Sequence, residues 1–156
     1  MLKIDMHSHI LPKTMPNWTQ KFGYGKFIHL EPNADGSANM MQGGQFFRRI
    51  VENCWDEQLR IDEYKPYNTQ VQVVCTIPVM FSYWAKTADA LELSRFLNDH
   101  IAELVQRYPK NYIGLATIPM QDAEAAILEL ERAKADRARQ DAEIRAMAAS
   151  AVPMCR

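Results

Sequence analysis

Residues 2–10, Leu2-Lys3-Ile4-Asp5-Met6-His7-Ser8-His9-Ile10, decide the fold because apolar and polar side chains alternate along them. A period of two is the pattern of a β-strand, and the following Leu11-Pro12 predicts its end, because proline donates no hydrogen bond to a sheet. On such a strand His7 and His9 point to the same side. The sequence therefore predicts an early strand that presents two imidazoles together.

Two later runs, residues 71–78 and 112–119, are largely apolar, and both end in Thr-Ile-Pro. Runs of this kind are typical of strands buried on both faces, as in parallel sheets. Helices are predicted over residues 55–63, over residues 87–108 and from about residue 122, with Thr87 as the N-cap of the second. The repeated strand–helix order predicts an α/β fold with a parallel sheet.

Two segments depart from this repeat. Residues 12–48 hold five of the six glycines, which predicts a long loop with short pieces of structure, and loops of that length are usually functional. Residues 131–156 hold eight alanines, five arginines and no aromatic residue. We interpret them as a helical tail, with translation from a shifted reading frame as the alternative.

Composition limits the class of protein. The net charge of -1 predicts no general attraction to nucleic acid or to anionic membranes. The sequence has no 20-residue apolar run, which predicts no membrane span, and no secretory signal near residue 1, so we expect a cytoplasmic protein. Cys54, Cys75 and Cys155 are an odd, scattered set, which predicts reduced thiols.

The His7-Ser8-His9 motif is the sharpest chemical signal. Two imidazoles side by side can bind one divalent metal, typically zinc, and the carboxyl ends of strands are where α/β barrels build their active sites. Asp5 is expected to share their face and to act in the second coordination shell. The alternative is a pair of ordinary histidines near a strand end.

These residues resemble a known family. Asp5-Met6-His7-Ser8-His9 with Leu11-Pro12 is similar to the opening of the amidohydrolase superfamily. Within it, the likeness narrows to the decarboxylases of aminocarboxymuconate semialdehyde and covers about residues 1–132. It is carried by the motifs Phe22-Gly23-Tyr24-Gly25, Phe47-Arg48, Glu52-Asn53-Cys54-Trp55-Asp56, residues 78–86 and Ile118-Pro119-Met120-Gln121.

The resemblance implies a partial TIM (β/α)8 barrel, about its first three β/α units, over residues 1–130. It implies non-oxidative, zinc-dependent decarboxylation of aminocarboxymuconate semialdehyde in tryptophan (kynurenine) degradation. His7 and His9 would hold the Zn²⁺, and Arg48 would grip a carboxylate of a small dicarboxylate substrate. The intact enzyme is expected to be a homodimer, with no nucleic acid or membrane partner.

The same resemblance implies that the site is incomplete in 156 residues. A TIM barrel needs roughly 250 residues. The family completes its zinc site with a histidine on a fifth strand and an aspartate on an eighth, and uses a histidine on the sixth as acid and base. We therefore expect no catalytic residue and little activity in this chain alone. The alternatives are a related decarboxylase or hydrolase of another aromatic carboxylate, and a non-catalytic fragment that binds metal or a partner chain.

The remaining candidate residues give weaker signals. Residues 80–84, Met80-Phe81-Ser82-Tyr83-Trp84, follow the second buried strand and predict either a pocket wall for a planar substrate or plain core packing. For Arg48 the alternative is that it and the adjacent Arg49 are a solvated pair in a loop. His29 is expected at the surface, and His100 is expected to be structural.

Overall fold

The structure is a computed structural model that describes residues 3–135. Its strands are β1 (Lys3–His9), β2 (Ile28–Pro32), β3 (Ala38–Gln42), β4 (Gln45–Ile50), β5 (Thr69–Cys75) and β6 (Tyr112–Gly114). Its helices are α1 (Trp18–Phe22), α2 (Glu57–Tyr64), α3 (Thr87–Arg107) and α4, which covers residues 123–135. Short 3₁₀ turns occupy Glu52–Cys54, Lys65–Tyr67 and Pro78–Met80.

A parallel sheet of three strands, in the order β1-β5-β6, contains all three strands that the sequence predicted. Val73 and Val74 of β5 are buried, as expected for the central strand. This sheet with its intervening helices confirms the predicted α/β class and forms part of a barrel. Strand β6 is shorter than predicted, since it ends at Gly114 and residues 115–119 have no regular structure.

A second, antiparallel sheet in the order β2-β3-β4 lies in the segment that we expected to be mostly loop. Its tightest turn is Gly43-Gly44, where both residues have positive φ, 58° and 80°. Two successive residues of this kind form the hairpin turn that matches the natural twist of antiparallel strands. The glycines therefore mark a hairpin, and the expectation of a long loop with only short pieces of structure was wrong for residues 28–48.

Helix α3 joins two hydrophobic cores. Its first half contributes Ala90, Leu93 and Leu97 to a core shared with the antiparallel sheet. Its second half contributes Ile101 and Leu104 to a core under the parallel sheet. One helix thus fixes the antiparallel sheet near the end of β1.

The start of helix α3 differs from the prediction. The N-cap of α3 is Lys86 and makes no side-chain capping bond, so the prediction of Thr87 was wrong. Helix α4 begins after Asp122, whose carboxylate accepts from the amide of Ala125 at 2.9 Å. The predicted boundary between residues 130 and 131 falls within this helix. The rest of the proposed tail, residues 136–156 with Cys155, lies outside the described residues.

No helix within residues 3–135 has the length and apolar character needed to cross a membrane.

Candidate metal and substrate site

The two histidines of β1 converge on one point. Alternation along the strand places both rings on one face, with Nε2 of His7 3.2 Å from Nε2 of His9. Their ring centroids are 5.0 Å apart and the planes are perpendicular. Ser8 between them points to the opposite side and is buried. Both Nε2 atoms therefore face the same small volume at the carboxyl end of the parallel sheet.

This separation fits a shared divalent metal. Two nitrogens bound to one tetrahedral zinc at about 2.0–2.1 Å lie about 3.3 Å from each other. The 3.2 Å between the two Nε2 atoms is close to that value. Within residues 3–135 no group of three or more histidine, cysteine, aspartate or glutamate side chains is arranged to hold a metal. Of the described residues, His7 and His9 would supply two ligands, and this role stays a prediction.

The second ring nitrogen of His9 is held by the neighbouring strand. Nδ1 lies 3.1 Å from the carbonyl oxygen of Thr76 and 3.2 Å from the thiol of Cys75. A hydrogen bond from Nδ1–H to the carbonyl leaves the lone pair on Nε2, which is the arrangement that histidine ligands usually have. Burial raises the pKa of the Cys75 thiol, which keeps that thiol protonated at neutral pH.

No sequence motif singled out Cys75 and Thr76 as neighbours of His9. The usable signal was their place at the end of the second buried strand, because β5 is parallel to β1 and Cys75 pairs with His9. Asp5 also differs from expectation. Its carboxylate accepts from the His7 amide at 3.2 Å and from the Tyr64 hydroxyl at 3.3 Å, and from neither imidazole.

Arg48 lies on β4 and not on a loop, with an exposed side chain. Among residues 3–135 it makes no side-chain hydrogen bond or ion pair, so the structure does not join it to His7 or His9. Its neighbour Arg49 is different, because it pairs with Asp35 and donates to Ser37 at 3.0 Å. The hydrogen bonds from Ser37 are the main cause that lowers the pKa of Asp35, and Arg49 adds to it. Of the two arginines, Arg48 therefore has its guanidinium available.

The segment after β5 is divided between the core and the surface, and its role as a pocket wall stays a prediction. Met80 is buried in the core, whereas Tyr83 and Trp84 are 44% and 52% exposed. Trp84 packs on Phe27 with ring centroids 4.6 Å apart. It also covers Gly25, where a Cβ atom would lie only 2.5 Å from the indole. Tyr24, Phe27 and Trp84 thus form an aromatic cluster, in which Phe27 is buried.

The remaining histidines lie away from this site. His29 on β2 has a side chain only 18% exposed and lies 3.4 Å from Glu31, so the expectation of a surface histidine was wrong. His100 lies on α3, and burial lowers its pKa.

The sequence of this chain is similar to those of two curated decarboxylases. The chain is 51% identical over 131 residues to the 2-amino-3-carboxymuconate-6-semialdehyde decarboxylase of Dictyostelium discoideum, which covers 84% of this chain and 36% of that protein. It is 42% identical over 125 residues to the Caenorhabditis elegans protein of the same name, covering 80% and 31%. The chain is a homologue of these decarboxylases. It spans about a third of the length of the curated relatives that it matches. No protein-family model matches the chain.

Solved structures show the same fold. A dihydroxybenzoic acid decarboxylase from Polaromonas sp. JS666, with bound manganese and the inhibitor 2-nitroresorcinol, matches with a TM-score of 0.58 and 22% identity. The match covers 84% of this chain and 34% of that one. A Staphylococcus aureus protein described as an amidohydrolase matches with a TM-score of 0.57 and 20% identity, covering 87% and 34%. The described residues therefore share the fold of about a third of each of these proteins, in agreement with the predicted partial barrel.

Proposed function

We propose that this chain forms the metal-binding first part of a zinc-dependent decarboxylase that acts on aminocarboxymuconate semialdehyde in tryptophan (kynurenine) degradation. The observation that carries the proposal is the convergence of the His7 and His9 Nε2 atoms to 3.2 Å. It occurs in a chain 51% identical to a decarboxylase of that name. The reaction releases CO2 without oxygen or an organic cofactor.

His7 and His9 would hold the zinc through Nε2. When bound, zinc lowers the pKa of a coordinated water to about 7 and so supplies hydroxide at neutral pH. Thr76 accepts the Nδ1 proton of His9, which keeps that ring in the tautomer that offers Nε2 to the metal. The histidines orient the metal, and the proton donors and remaining ligands would come from residues outside the described part.

Arg48 would anchor a substrate carboxylate. A guanidinium grips a carboxylate through two parallel hydrogen bonds, and this fixes the orientation of the substrate as well as its charge. Arg48 is the free member of the arginine pair, since Arg49 is held by Asp35 and Ser37. Exposed Tyr83 and Trp84 would offer flat apolar faces to a conjugated substrate.

The proposal extends to the whole enzyme in three respects. Its substrate is a small dicarboxylate, the working unit is a homodimer, and its location is the cytoplasm. Because this chain spans about a third of its relatives, we expect the 156-residue chain alone to have little or no activity.

A second candidate is a decarboxylase of a hydroxylated benzoate. A 48-residue stretch is 46% identical to the gamma-resorcylate decarboxylase of a Polaromonas strain. The Polaromonas dihydroxybenzoic acid decarboxylase shares the fold. Identity to the aminocarboxymuconate-semialdehyde enzymes extends over 84% of the chain, against 31% for this relative, and this favours the first candidate.

The test is turnover by the intact enzyme that carries this sequence, loaded with zinc. Its substrates are aminocarboxymuconate semialdehyde and 2,6-dihydroxybenzoate. We expect CO2 release from the first alone, abolished by His7→Ala and by His9→Ala. Arg48→Ala should raise KM strongly, whereas the matched Arg49→Ala, which removes an already paired arginine, should raise it little. Turnover of the benzoate alone would establish the second candidate, and full activity of His7→Ala would refute the metal assignment.

A further inference from the structure

Strand β1 has a register irregularity between Asp5 and Ser8, which includes the first of its two histidines. Asp5 pairs with Gln72, and the next paired residue, Ser8, faces Val74. Three steps along β1 thus match two steps along β5, so one residue is extra. Bulges of this kind are frequent beside active sites, where they redirect side chains. The sheet ladder therefore leaves Met6 and His7 without a paired partner on β5, whereas Ser8 and His9 pair again with Val74 and Cys75.

Arg60 contacts this end of the strand from the buried side. Its side chain extends from α2 to the back of β1, and the residue is only 8% exposed. Nη1 donates to the carbonyl oxygens of His9 at 3.0 Å and Asn53 at 2.9 Å. Nη2 donates to the Gln72 side-chain oxygen at 2.9 Å and to the Ser8 hydroxyl. The guanidinium thus bonds a residue on each side of the bulge. Gln72 of β5 pairs with Asp5 before the bulge, and Ser8 of β1 follows it.

The chemistry of this arginine is unusual for a purely structural residue. All four acceptors are neutral, and within residues 3–135 no carboxylate forms an ion pair with Arg60. Burial of a cation without an anionic partner is costly, and an apolar side chain would fill the space at lower cost. What the guanidinium alone can provide is a rigid, planar set of donors that reaches several acceptors at fixed angles.

We propose that Arg60 is a positioning residue of the metal site, which clamps the bulged end of β1 so that the two imidazoles converge. It contacts the strand at Ser8, between the histidines, and at the His9 carbonyl. It touches neither ring and does not bind the metal. The inference rests on the metal pair of the proposed function, but its first test needs no metal.

The experiment uses the 156-residue chain and two substitutions. Arg60→Lys keeps the positive charge and removes the planar fork, so a change in metal affinity reports geometry and not charge. Ser8→Ala removes one acceptor of Arg60 and leaves the arginine in place. The matched controls are Arg132→Lys, which affects a guanidinium bonded to Glu129 and Asp99 between α3 and α4, and Ser37→Ala, which removes a buried hydroxyl from the connection between β2 and β3.

The first readout is long-range ¹H–¹⁵N NMR of the imidazoles in the metal-free chain. We expect His9 in the wild type and both controls to carry its proton on Nδ1, whereas Arg60→Lys should show a mixture of tautomers. The second is Zn²⁺ affinity by chelator competition, with His7→Ala as background. Arg60→Lys should weaken it by about tenfold, as expected for loss of an outer-shell partner, and Ser8→Ala by less.

The outcomes separate the two proposals. If the wild type binds no more Zn²⁺ than His7→Ala, the proposed metal pair fails, while the imidazole spectra still decide the role of Arg60. Unchanged imidazole spectra in folded Arg60→Lys overturn the positioning role. If circular dichroism shows that Arg60→Lys does not fold, Ser8→Ala decides by the same spectra. Equal loss of affinity in Arg132→Lys would also overturn it, because a general loss of stability would then suffice.

Discussion

Asn98 and Thr117 bind each other through two hydrogen bonds. The Asn98 side-chain amide donates to the Thr117 carbonyl at 2.9 Å, and the Thr117 amide donates to the Asn98 side-chain oxygen at 2.8 Å. Both residues are buried. Asn98 on α3 thus satisfies the backbone of a residue that β6 no longer pairs. The same amide nitrogen also donates to buried Glu129 at 2.7 Å, which ties α4 to this point.

Asn98→Ala should destabilise the chain by about 2–4 kcal/mol, because it leaves buried backbone groups without partners. Urea unfolding followed by circular dichroism measures this loss. The matched control is Asn111→Ala, which removes one exposed contact to the Gln70 carbonyl and should cost little. Equal losses for the two variants would mean that the Asn98 bonds contribute nothing specific.

Gly114→Ala should destabilise the chain by about 1–3 kcal/mol through overpacking. A Cβ atom at this position would lie 2.5 Å from Cγ2 of Ile101, where β6 packs against α3. Ile101→Leu removes that branch, so the double variant should recover part of the loss. A thermodynamic cycle of the four proteins measures the coupling, and strict additivity would contradict the steric explanation.

The free energy of unfolding should decrease as the pH falls, because of the protonation of His100. Burial lowers the pKa of His100 below its ordinary 6.5, Arg107 lowers it further, and Glu57 and Glu103 oppose the shift. The folded chain therefore binds fewer protons at this residue than the unfolded chain. Its contribution to stability is complete above about pH 6.5 and is lost as the pH falls. Unfolding free energies from pH 7.5 to 5 should show a weaker pH dependence in His100→Gln, and an identical slope would contradict this.

Loss of stability at alkaline pH should involve ionisation of Tyr112. Burial raises the pKa of its phenol to about 12, and the hydroxyl donates to the Glu57 carbonyl at 2.7 Å. Because the folded pKa exceeds the ordinary value of 10.0, the folded chain keeps this proton longer than the unfolded chain. The resulting stability is present below about pH 10 and is lost between about pH 10 and 12. Ultraviolet titration should show a late phenolate step that is missing in Tyr112→Phe, and an unchanged titration would refute the assignment.

The sequence predicted the parts of the fold that depend on local patterns. The alternation of residues 2–10 gave β1 and the shared face of His7 and His9, and the apolar stripe of residues 87–108 gave α3 almost to the residue. These patterns work because each element buries one continuous face, which leaves a trace in consecutive residues.

The missing parts depend on contacts between distant residues. The strands β2 to β4 are short and carry polar and charged side chains, so no apolar period marked them. Arg60 was not expected in the interior, because arginine is rarely buried without a carboxylate. Its partners Ser8 and Gln72 lie 52 and 12 residues away in sequence. Such a site becomes visible only when the strands are placed side by side.

The two sheets also differ in the sequence separation between the residues that pair in them. In the antiparallel sheet, Gln42 pairs with Gln45 across a two-residue turn. In the parallel sheet, β1 pairs with β5, and the Lys3 amide donates to the Gln70 side-chain oxygen, 67 residues later in the sequence. Closing a long loop costs more entropy and takes more time than closing a hairpin. During refolding we therefore expect the hairpins to form first and the paired imidazoles to appear late, so that metal uptake reports the last steps of folding.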